Sequence, residues 1–257
     1  MHNAALQALG INAQYEALDV PPENLKAALE QLRQTDTWGV NLSIPHKQAV
    51  LETLDSISTE AKIIGAVNTI VVKNGWLEGH NTDAYGFMRS LEEAGIHVQN
   101  TDVVVLGAGG AARAVAYGLK QAGALVTVWN RNFERARVLA TELDLDAFLS
   151  DDLLENAIHG SVGLVNTTSV GLEQPDLSPI PDELLPMGGE NSKPWVCDIV
   201  YRPLETRLLR VARKAGIQTV DGLGMLVYQG AKAFELWTGL KPDTNLMRQV
   251  AMKELGF

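Results

Sequence analysis

A lysine in the first third of the chain stands where a cation could do chemistry. In the stretch "NLSIPHKQAV", an apolar run ends at Pro45, and Lys47 follows just before a short segment with helical spacing. A lysine ammonium can deliver a proton to an oxygen and can stabilise negative charge that develops there. The ordinary alternative is an exposed residue at a helix start, although a cation is unfavourable at that end of the helix dipole. His46 is a weaker candidate acid, because we expect its side chain to project in another direction.

A second candidate site is a glycine-rich turn in the stretch "VVVLGAGGAARAVA". It places Gly107, Gly109 and Gly110 between an apolar strand and a predicted helix. Glycine at 107 allows a tight turn, and glycine at 109 lets a pyrophosphate approach the backbone, where free N–H groups at the helix start face it. Such turns also serve packing alone, but the strand–turn–helix context indicates a dinucleotide-binding turn.

The next strand, "LVTVWN", indicates which dinucleotide binds. In NAD-binding folds, an acidic residue at the end of this strand accepts a hydrogen bond from the ribose 2′-hydroxyl. Here Asn130 stands at that position, and Arg131 and Arg135 follow it. Guanidinium groups pair well with a 2′-phosphate, and two arginines are otherwise unfavourable against the positive end of a helix. The sequence therefore predicts NADP rather than NAD as the cofactor.

The elements that must position these residues alternate between strand-like and helix-like segments, which is typical of α/β architecture with largely parallel sheets. The segment "QYEALDV" (14–20) alternates like a strand, and the dipeptide Asn74-Gly75 predicts a hairpin between two further strands. Long helical segments begin near Asp83 and Asp221. We therefore expect two domains, one of residues 1–82 completed by the C-terminal helices of 222–257, and one of residues 83–221.

The charge and composition of the chain indicate which kinds of molecule it can bind. The 257 residues carry 21 basic and 31 acidic side chains, a net charge of -10, so nucleic acid and anionic membranes are poor partners. The sequence has neither a run of eighteen apolar residues nor a signal-peptide pattern at its start, which predicts a cytoplasmic protein. Cys197 is the only cysteine and lies in a strand-like run, and the histidines do not cluster, so we expect no metal site.

Eight motifs together resemble the shikimate dehydrogenase family over nearly the whole chain. They are "NLSIPHK", "IGAVNT", "NTDAYGF", "GAGGAARA", "WNRNFERA", "VNTTSVGL", "DIVYRPLETRLL" and "DGLGMLVYQGAKAFELW". The resemblance implies an oxidoreductase that reversibly reduces 3-dehydroshikimate to shikimate with NADP, in chorismate and aromatic amino-acid biosynthesis. It also implies a monomer or homodimer with a Rossmann-type NADP-binding domain, a smaller α/β substrate domain, and the active site between the two.

The resemblance also implies the roles of particular residues. By motif, Lys47 matches the principal catalytic acid or base and Asp83 matches its partner, whereas Asp83 alone would be read as a helix N-cap. The positions that match substrate-binding residues are Ser43, Asn68, Asp83, Tyr201 and Gln229. The positions that match cofactor-binding residues are Gly107, Ala108, Gly109, Gly110, Ala111, Asn130, Arg131, Asn132, Arg135, Ile199 and Gly222. Without the resemblance, Asn68 would be a turn former and Gln229 an ordinary polar residue of a helix.

The sequence departs from the family pattern in three places. Ser43 and Asn132 replace a more usual threonine, and both keep a hydrogen-bonding group. Family members usually begin further upstream, with a strand and a Ser-x-Ser segment that holds the substrate carboxylate, whereas this sequence begins inside the following motif. We therefore expect weak shikimate binding, or compensation by oligomerisation, for the chain as given. Equal Michaelis constants for this chain and an N-terminally extended one would refute that expectation.

Four alternatives remain open from the sequence. A quinate/shikimate dehydrogenase with relaxed substrate use is close, but the two arginines argue against a preference for NAD. A short-chain dehydrogenase is suggested by Tyr228 and Lys232, which are spaced one helical turn apart, although that class carries its glycine turn near the N-terminus. A folate-type methylene dehydrogenase would need a tyrosine at position 43. A non-catalytic NADP-binding or regulatory homologue stays open because the sequence lacks the Ser-x-Ser segment.

Overall fold

The computed structural model describes residues 1–145, 147–148, 150, 153–188 and 192–257. These residues form two compact units. Unit 1 consists of Met1–Gly86 and Val227–Phe257, and unit 2 of Phe87–Leu226. The division falls within two helices, α5 (Asp83–Glu93) and α10 (Gly222–Thr238). No helix in the described part of the chain has the length and apolar character needed to cross a membrane.

Unit 1 is built on a mixed four-stranded sheet. Its strands are β1 (Gly39–Asn41), β2 (Ser56–Ile57), β3 (Thr69–Lys73) and β4 (Trp76–His80), in the order β1-β3-β4-β2. Its other helices are α1 (His2–Ala8), α2 (Leu25–Leu32), α3 (His46–Ala49), α4 (Thr59–Ile64) and α11 (Thr244–Leu255). The core between them is aliphatic and contains Leu29, Val50, Val67, Ile70 and Leu77. Thr69, Ile70 and Val71 are successive residues of β3 and are all buried, so this strand is covered on both faces.

The hairpin predicted at Asn74-Gly75 is confirmed. Strands β3 and β4 are antiparallel, and both turn residues have positive φ (52° and 77°), the backbone form that favours this dipeptide in tight hairpins.

The strand predicted over 14–20 is wrong, because this segment has no regular secondary structure. Its alternation does not correspond to a buried face, since the segment is largely exposed and Leu18 is 69% exposed. Side-chain contacts hold the segment instead. The Asn3 carboxamide bonds to the backbone N–H and carbonyl of Tyr15, and the His46 ring bonds to the carbonyl of Val20. An alternating pattern without burial does not make a strand.

Unit 2 is a parallel six-stranded sheet with helices on both faces. Its strands are β5 (Asp102–Leu106), β6 (Leu125–Trp129), β7 (Ala147–Phe148), β8 (Gly163–Asn166), β9 (Trp195–Asp198) and β10 (Gln218–Val220). Its helices, apart from the parts of α5 and α10, are α6 (Gly110–Gln121), α7 (Phe133–Leu143), α8 (Leu154–Gly160) and α9 (Arg207–Lys214). The strand order is β10-β9-β8-β5-β6-β7, with every described pairing parallel. This is the order of the doubly wound dinucleotide-binding fold, so the predicted α/β class with a Rossmann-type domain is confirmed.

Two cores cover the two faces of this sheet. Val103 and Val105 of β5 pack into one core with α6 and α7, while Val104 and Leu106 pack into the other with α8 and α9. Because successive residues of a strand point to opposite faces, the continuous apolar run of β5 is what a strand buried on both sides needs. The order of strands reverses between β5 and β8, so the carboxyl ends of these two strands form the switch point where such folds bind ligands.

Candidate functional site

Within unit 1, the predicted catalytic pair forms a direct ion pair. The Nζ atom of Lys47, on α3, lies 2.6 Å from Oδ2 of Asp83, at the start of α5. The two side chains are only 18% and 6% exposed, so their attraction is little screened by water. The N-terminus of α5 adds a positive dipole beside the carboxylate. A cation and an anion are thus held together at a partly buried position.

The interpretation of Asp83 as the N-cap of α5 is wrong. Two residues before the helix, Oδ1 of Asn81 accepts hydrogen bonds from the backbone N–H groups of Asp83 (3.0 Å) and Ala84 (3.3 Å). Asn81 therefore satisfies two of the free N–H donors of the first turn. This leaves the Asp83 carboxylate available to bond with Lys47 and other side chains.

The carboxamide of Asn68 completes the surroundings of Asp83. Its Nδ2 donates to Oδ1 of Asp83 (2.8 Å), to Oγ1 of Thr82 (2.9 Å) and, at 3.4 Å, to Oε1 of Gln229 on α10. Its Oδ1 accepts a hydrogen bond from the backbone N–H of Thr82 at 2.7 Å. The structure thus brings together Lys47, Asn68, Asp83 and Gln229, which we call the Lys–Asp cluster. Its charged and amide groups suit a ligand that carries hydroxyl groups.

Two neighbours of Lys47 in sequence do not join this cluster by hydrogen bonds. Ser43 is exposed, and its hydroxyl lies 3.4 Å from the carbonyl oxygen of Ile44. His46 is buried, and its Nε2 lies 2.7 Å from the carbonyl oxygen of Val20. The ring of His46 is therefore held by the 14–20 segment and not by the Lys47–Asp83 pair.

In unit 2, two glycines of the glycine-rich turn are needed for different reasons, one for the backbone conformation and one for open space. Gly107 has φ +117°, and a Cβ there would lie 2.5 Å from Oγ1 of Thr167, so the fold itself demands glycine. Gly109 precedes α6 without a side-chain cap, and, apart from its own chain neighbours, no described residue places a heavy atom within 4 Å of the position that its Cβ would occupy. Ala108 packs against the adjacent core, and Gly110 and Ala111 form the first turn of α6. The open space beside the first N–H groups of α6 fits a pyrophosphate.

The predicted 2′-phosphate segment lies at the carboxyl end of β6. Asn130 donates from Nδ2 to the carbonyl of Asn132 (3.0 Å), and Oδ1 of Asn132 accepts from the backbone N–H of Arg135 (3.2 Å), which caps α7. Arg131 and Arg135 are exposed, and their guanidinium groups make no hydrogen bond or ion pair within the described ranges. Two guanidinium groups beside this strand end fit a 2′-phosphate.

The other predicted residues of unit 2 lie near the end of β9. The backbone N–H of Ile199 donates to the carbonyl of Asn166 (3.1 Å), and Tyr201 is 40% exposed. A Cβ on Gly222 would lie 2.3 Å from the carbonyl oxygen of Ile199. Glycine at 222 therefore lets α10 begin directly against the segment that follows β9.

The sequence reasoning missed Asp198, a fully buried carboxylate at the end of β9. Its Oδ1 accepts from Nδ2 of Asn166 (3.0 Å) and the backbone N–H of Val200 (3.1 Å), and its Oδ2 accepts from Thr206 (2.7 Å). Burial raises the pKa of Asp198 to about 6, although these three hydrogen bonds act to lower it. An acid inside the apolar run "WVCDIV" was the available signal. This carboxylate shapes the segment that carries Ile199 and Tyr201.

The fold and these residues define an α/β protein with a dinucleotide-binding unit and a lysine–aspartate pair in its other unit. Models of three protein families match the chain. The "Shikimate dehydrogenase substrate binding domain" matches residues 1–70, "Shikimate / quinate 5-dehydrogenase" matches 90–169, and "Shikimate 5'-dehydrogenase C-terminal domain" matches 222–252.

Relatives match along the whole chain. A shikimate dehydrogenase (NADP(+)) from Thermus thermophilus is 48% identical, over 100% of this chain and 93% of the relative. One from Symbiobacterium thermophilum is also 48% identical, over 99% and 89%. A crystal structure of shikimate 5-dehydrogenase from Thermus thermophilus, in complex with NADP(H) and shikimate, has a TM-score of 0.88 at 46% identity, covering 98% of this chain and 92% of that one. The chain belongs to the shikimate dehydrogenase family.

Proposed function

We propose that this protein is an NADP-dependent shikimate dehydrogenase, which interconverts 3-dehydroshikimate and shikimate in chorismate and aromatic amino-acid biosynthesis. The observation that carries the proposal is the partly buried Lys47–Asp83 ion pair at 2.6 Å, with Asn68 hydrogen-bonded to the same carboxylate. We assign shikimate to residues 1–82 and 222–257 and NADP to residues 83–221. Cytoplasmic location and a monomeric or homodimeric state stay predictions from the sequence.

The proton chemistry follows from the Lys–Asp cluster. In the reductive direction, the ketone carbon gains a hydride and its oxygen becomes an alkoxide, which must be protonated. The Lys47 ammonium stabilises the developing charge and donates the proton, so that a new O–H bond forms as one N–H bond breaks. In the oxidative direction, neutral Lys47 takes the same proton back. Asp83 orients the lysine and accepts a hydrogen bond from the reacting hydroxyl.

The remaining predicted substrate residues supply orientation. Asn68 and Gln229 carry amide groups that can donate to and accept from ring hydroxyls of shikimate. Ser43 and Tyr201 bring hydroxyl groups that are exposed in this structure. We assign these four residues to substrate binding, where positioning of the reacting carbon contributes to rate by fixing its orientation.

The described residues of unit 2 fit a bound NADP, which would accept or supply the hydride. The open space at Gly109 and the N-terminus of α6 would hold the pyrophosphate, and Arg131 and Arg135 would hold the 2′-phosphate. Ile199 and Gly222 would lie against the nicotinamide end.

A spectrophotometric assay of cofactor reduction tests the proposal. The purified protein is given shikimate or quinate, each with NADP or with NAD. The proposal predicts the highest kcat/KM for shikimate with NADP. Comparable rates with quinate would favour the broader quinate/shikimate activity, and NADPH binding without turnover on any substrate would favour a non-catalytic homologue.

A further inference from the structure

A chain of hydrogen bonds in unit 1 leads from Tyr15 to the Lys–Asp cluster through residues that no role has been assigned to. The Tyr15 hydroxyl donates to Oδ1 of Asn41 (3.0 Å), and Nδ2 of Asn41 donates to Oγ1 of Thr69 (3.0 Å). The Thr69 hydroxyl in turn donates to Oδ1 of Asn68 (3.0 Å). Every donor in the series therefore has an acceptor as its next neighbour, and the series ends on the carboxamide that contacts Asp83.

The direction of these bonds selects one orientation of the Asn68 carboxamide. A carboxamide can rotate by half a turn and exchange its oxygen and nitrogen. Oδ1 of Asn68 receives the Thr69 hydroxyl and the Thr82 backbone N–H, so its Nδ2 must face the Asp83 carboxylate. The reverse orientation would place the Asn68 oxygen against the Asp83 oxygen and the Asn68 amide group against the Thr82 N–H, so that two acceptors and two donors face each other, which is costly at a buried position.

The sheet fixes the links of this series in place. Asn41 and Thr69 are directly paired in the antiparallel β1–β3 ladder, so their side chains lie on the same face. Asn3 binds both the backbone N–H (2.7 Å) and the backbone carbonyl (2.9 Å) of Tyr15. The Tyr15 ring also packs 4.3 Å from the His2 ring. Burial raises the pKa of Tyr15, so its hydroxyl keeps the proton that it donates.

We propose that Tyr15, Asn41 and Thr69 are positioning residues that orient the Asn68 carboxamide toward Asp83. They touch neither Lys47 nor Asp83 through any hydrogen bond found among the described residues, and they act through Asn68. Because hydrogen bonds in a buried series polarise one another, loss of one link weakens the others. This inference rests on the proposed function only for its kinetic consequence, since the orientation of Asn68 can be observed directly.

The direct test uses the side-chain amide signals of Asn68 in ¹H–¹⁵N NMR spectra, identified by their loss in Asn68→Asp. Thr69→Val keeps the shape of the side chain but removes its hydroxyl, whereas Thr69→Ser keeps the hydroxyl. We expect Thr69→Val to shift the Asn68 signals and Thr69→Ser to leave them close to wild type. Thr53→Val is the matched control, because its hydroxyl bonds to the carbonyl of Val50 outside the series.

A kinetic double-mutant cycle supplies the second test. We expect Thr69→Val to lower kcat/KM for shikimate by about tenfold and Tyr15→Phe by about threefold, with the KM for NADP unchanged. Because Tyr15 acts on Asn68 through Asn41 and Thr69, the double variant should be no worse than Thr69→Val alone. Tyr15→Phe and Thr53→Val affect unconnected hydrogen bonds, so the factors by which they lower kcat/KM should multiply in the double variant. Thermal unfolding of each variant confirms that it is folded, and Tyr15→Phe serves if Thr69→Val does not fold.

The outcomes separate this inference from the proposed function. Asn68 signals in Thr69→Val that match wild type, or penalties of Tyr15→Phe and Thr69→Val that multiply, would overturn the positioning role. A wild-type protein that does not oxidise shikimate would overturn the proposed function, and the NMR comparison would then decide the orientation of Asn68 by itself.

Discussion

The Lys47–Asp83 pair shows how two single residues acquire properties that neither has alone. Each would be an ordinary surface residue if exposed, but at 2.6 Å and largely out of water each holds the other in position. The pair depends on Asn81, because Asn81 binds the first N–H groups of α5 and so leaves the Asp83 carboxylate unoccupied by capping. The proposed chemistry therefore depends on Asn81, and not Asp83, binding the first N–H groups of α5.

Asp198 gives a prediction about a single titrating group. Because burial raises its pKa to about 6 from an ordinary 3.8, the folded state holds a proton between these values that the unfolded state releases. Stability therefore falls as the pH rises through this range and levels off above it. Asp198→Asn keeps an oxygen that accepts from Asn166 and Val200, and it presents an amide N–H that can donate to the Thr206 hydroxyl, but it does not titrate.

We expect the free energy of unfolding of Asp198→Asn, relative to wild type, to rise between about pH 4 and 6. The rise should be at most on the order of 3 kcal/mol. Above this pH range, the difference in free energy of unfolding between the variant and wild type should stay constant. Chemical denaturation at a series of pH values measures it. Parallel stability curves for the two proteins across this range would contradict the assignment.

At the scale of elements, the turn between β5 and α6 combines a requirement of the fold with a requirement of the ligand. Gly107 is fixed by the backbone, since its φ is positive and Thr167 stands where a side chain would go. Gly109 has a φ of −90°, which any residue can adopt, and open space around its missing side chain. Gly107 thus permits the close packing of the turn against Thr167, and Gly109 leaves room for phosphate.

Alanine substitutions at these two positions should separate the two requirements. We expect Gly107→Ala to lower the melting temperature clearly, because it introduces both strain and a clash worth roughly 1–3 kcal/mol. Gly109→Ala should leave the melting temperature unchanged but raise the KM for NADP by about tenfold or more, because its methyl group fills the phosphate space. Scanning calorimetry and steady-state kinetics measure the two effects. Unchanged NADP binding in Gly109→Ala would show that phosphate does not approach there.

Elements with local signals could be predicted from the sequence, whereas networks that need tertiary pairing could not. Asn74-Gly75 specifies its hairpin, and the glycine turn follows an apolar strand, because each depends only on neighbouring residues. The prediction of a strand over 14–20 was wrong because alternating apolar and polar residues do not show whether another element covers the apolar side. The role of Thr69 depends on its register opposite Asn41, which no local pattern encodes.

The candidate site shows the same limit. Lys47 and Asp83 are far apart in sequence, and spacing alone would not have joined them. The family motifs supplied that pairing, and the structure supplies the distance between the two side chains.

In the molecule as a whole, the two units carry different parts of the proposed reaction. The Lys–Asp cluster belongs to unit 1, and the glycine turn and the arginine pair belong to unit 2. The rival constellation of Tyr228 and Lys232 is committed to other neighbours, since the Tyr228 ring lies 5.8 Å from the Arg248 guanidinium and Lys232 pairs with Glu235 at 2.9 Å. Substitutions at the glycine turn or the arginine pair should therefore affect NADP and spare shikimate.

The arginine pair tests this division. We expect the double substitution Arg131→Ala with Arg135→Ala to raise the KM for NADP by roughly tenfold to a hundredfold, because two charge-assisted bonds to the 2′-phosphate are lost. The KM for NAD and that for shikimate should change little. Arg137→Ala is the matched control, because this neighbouring arginine pairs with Glu134. Equal losses with NADP and NAD would place the 2′-phosphate elsewhere.

Proton transfer by Lys47 is tested most sharply by comparing the turnover of shikimate by Lys47→Ala and by Lys232→Ala, with NADP at saturation. We expect a loss of at least about a hundredfold in kcat for the first variant, while the second keeps turnover near that of wild type. Turnover that survives in Lys47→Ala and disappears in Lys232→Ala would contradict the assignment of Lys47 as the catalytic acid and base.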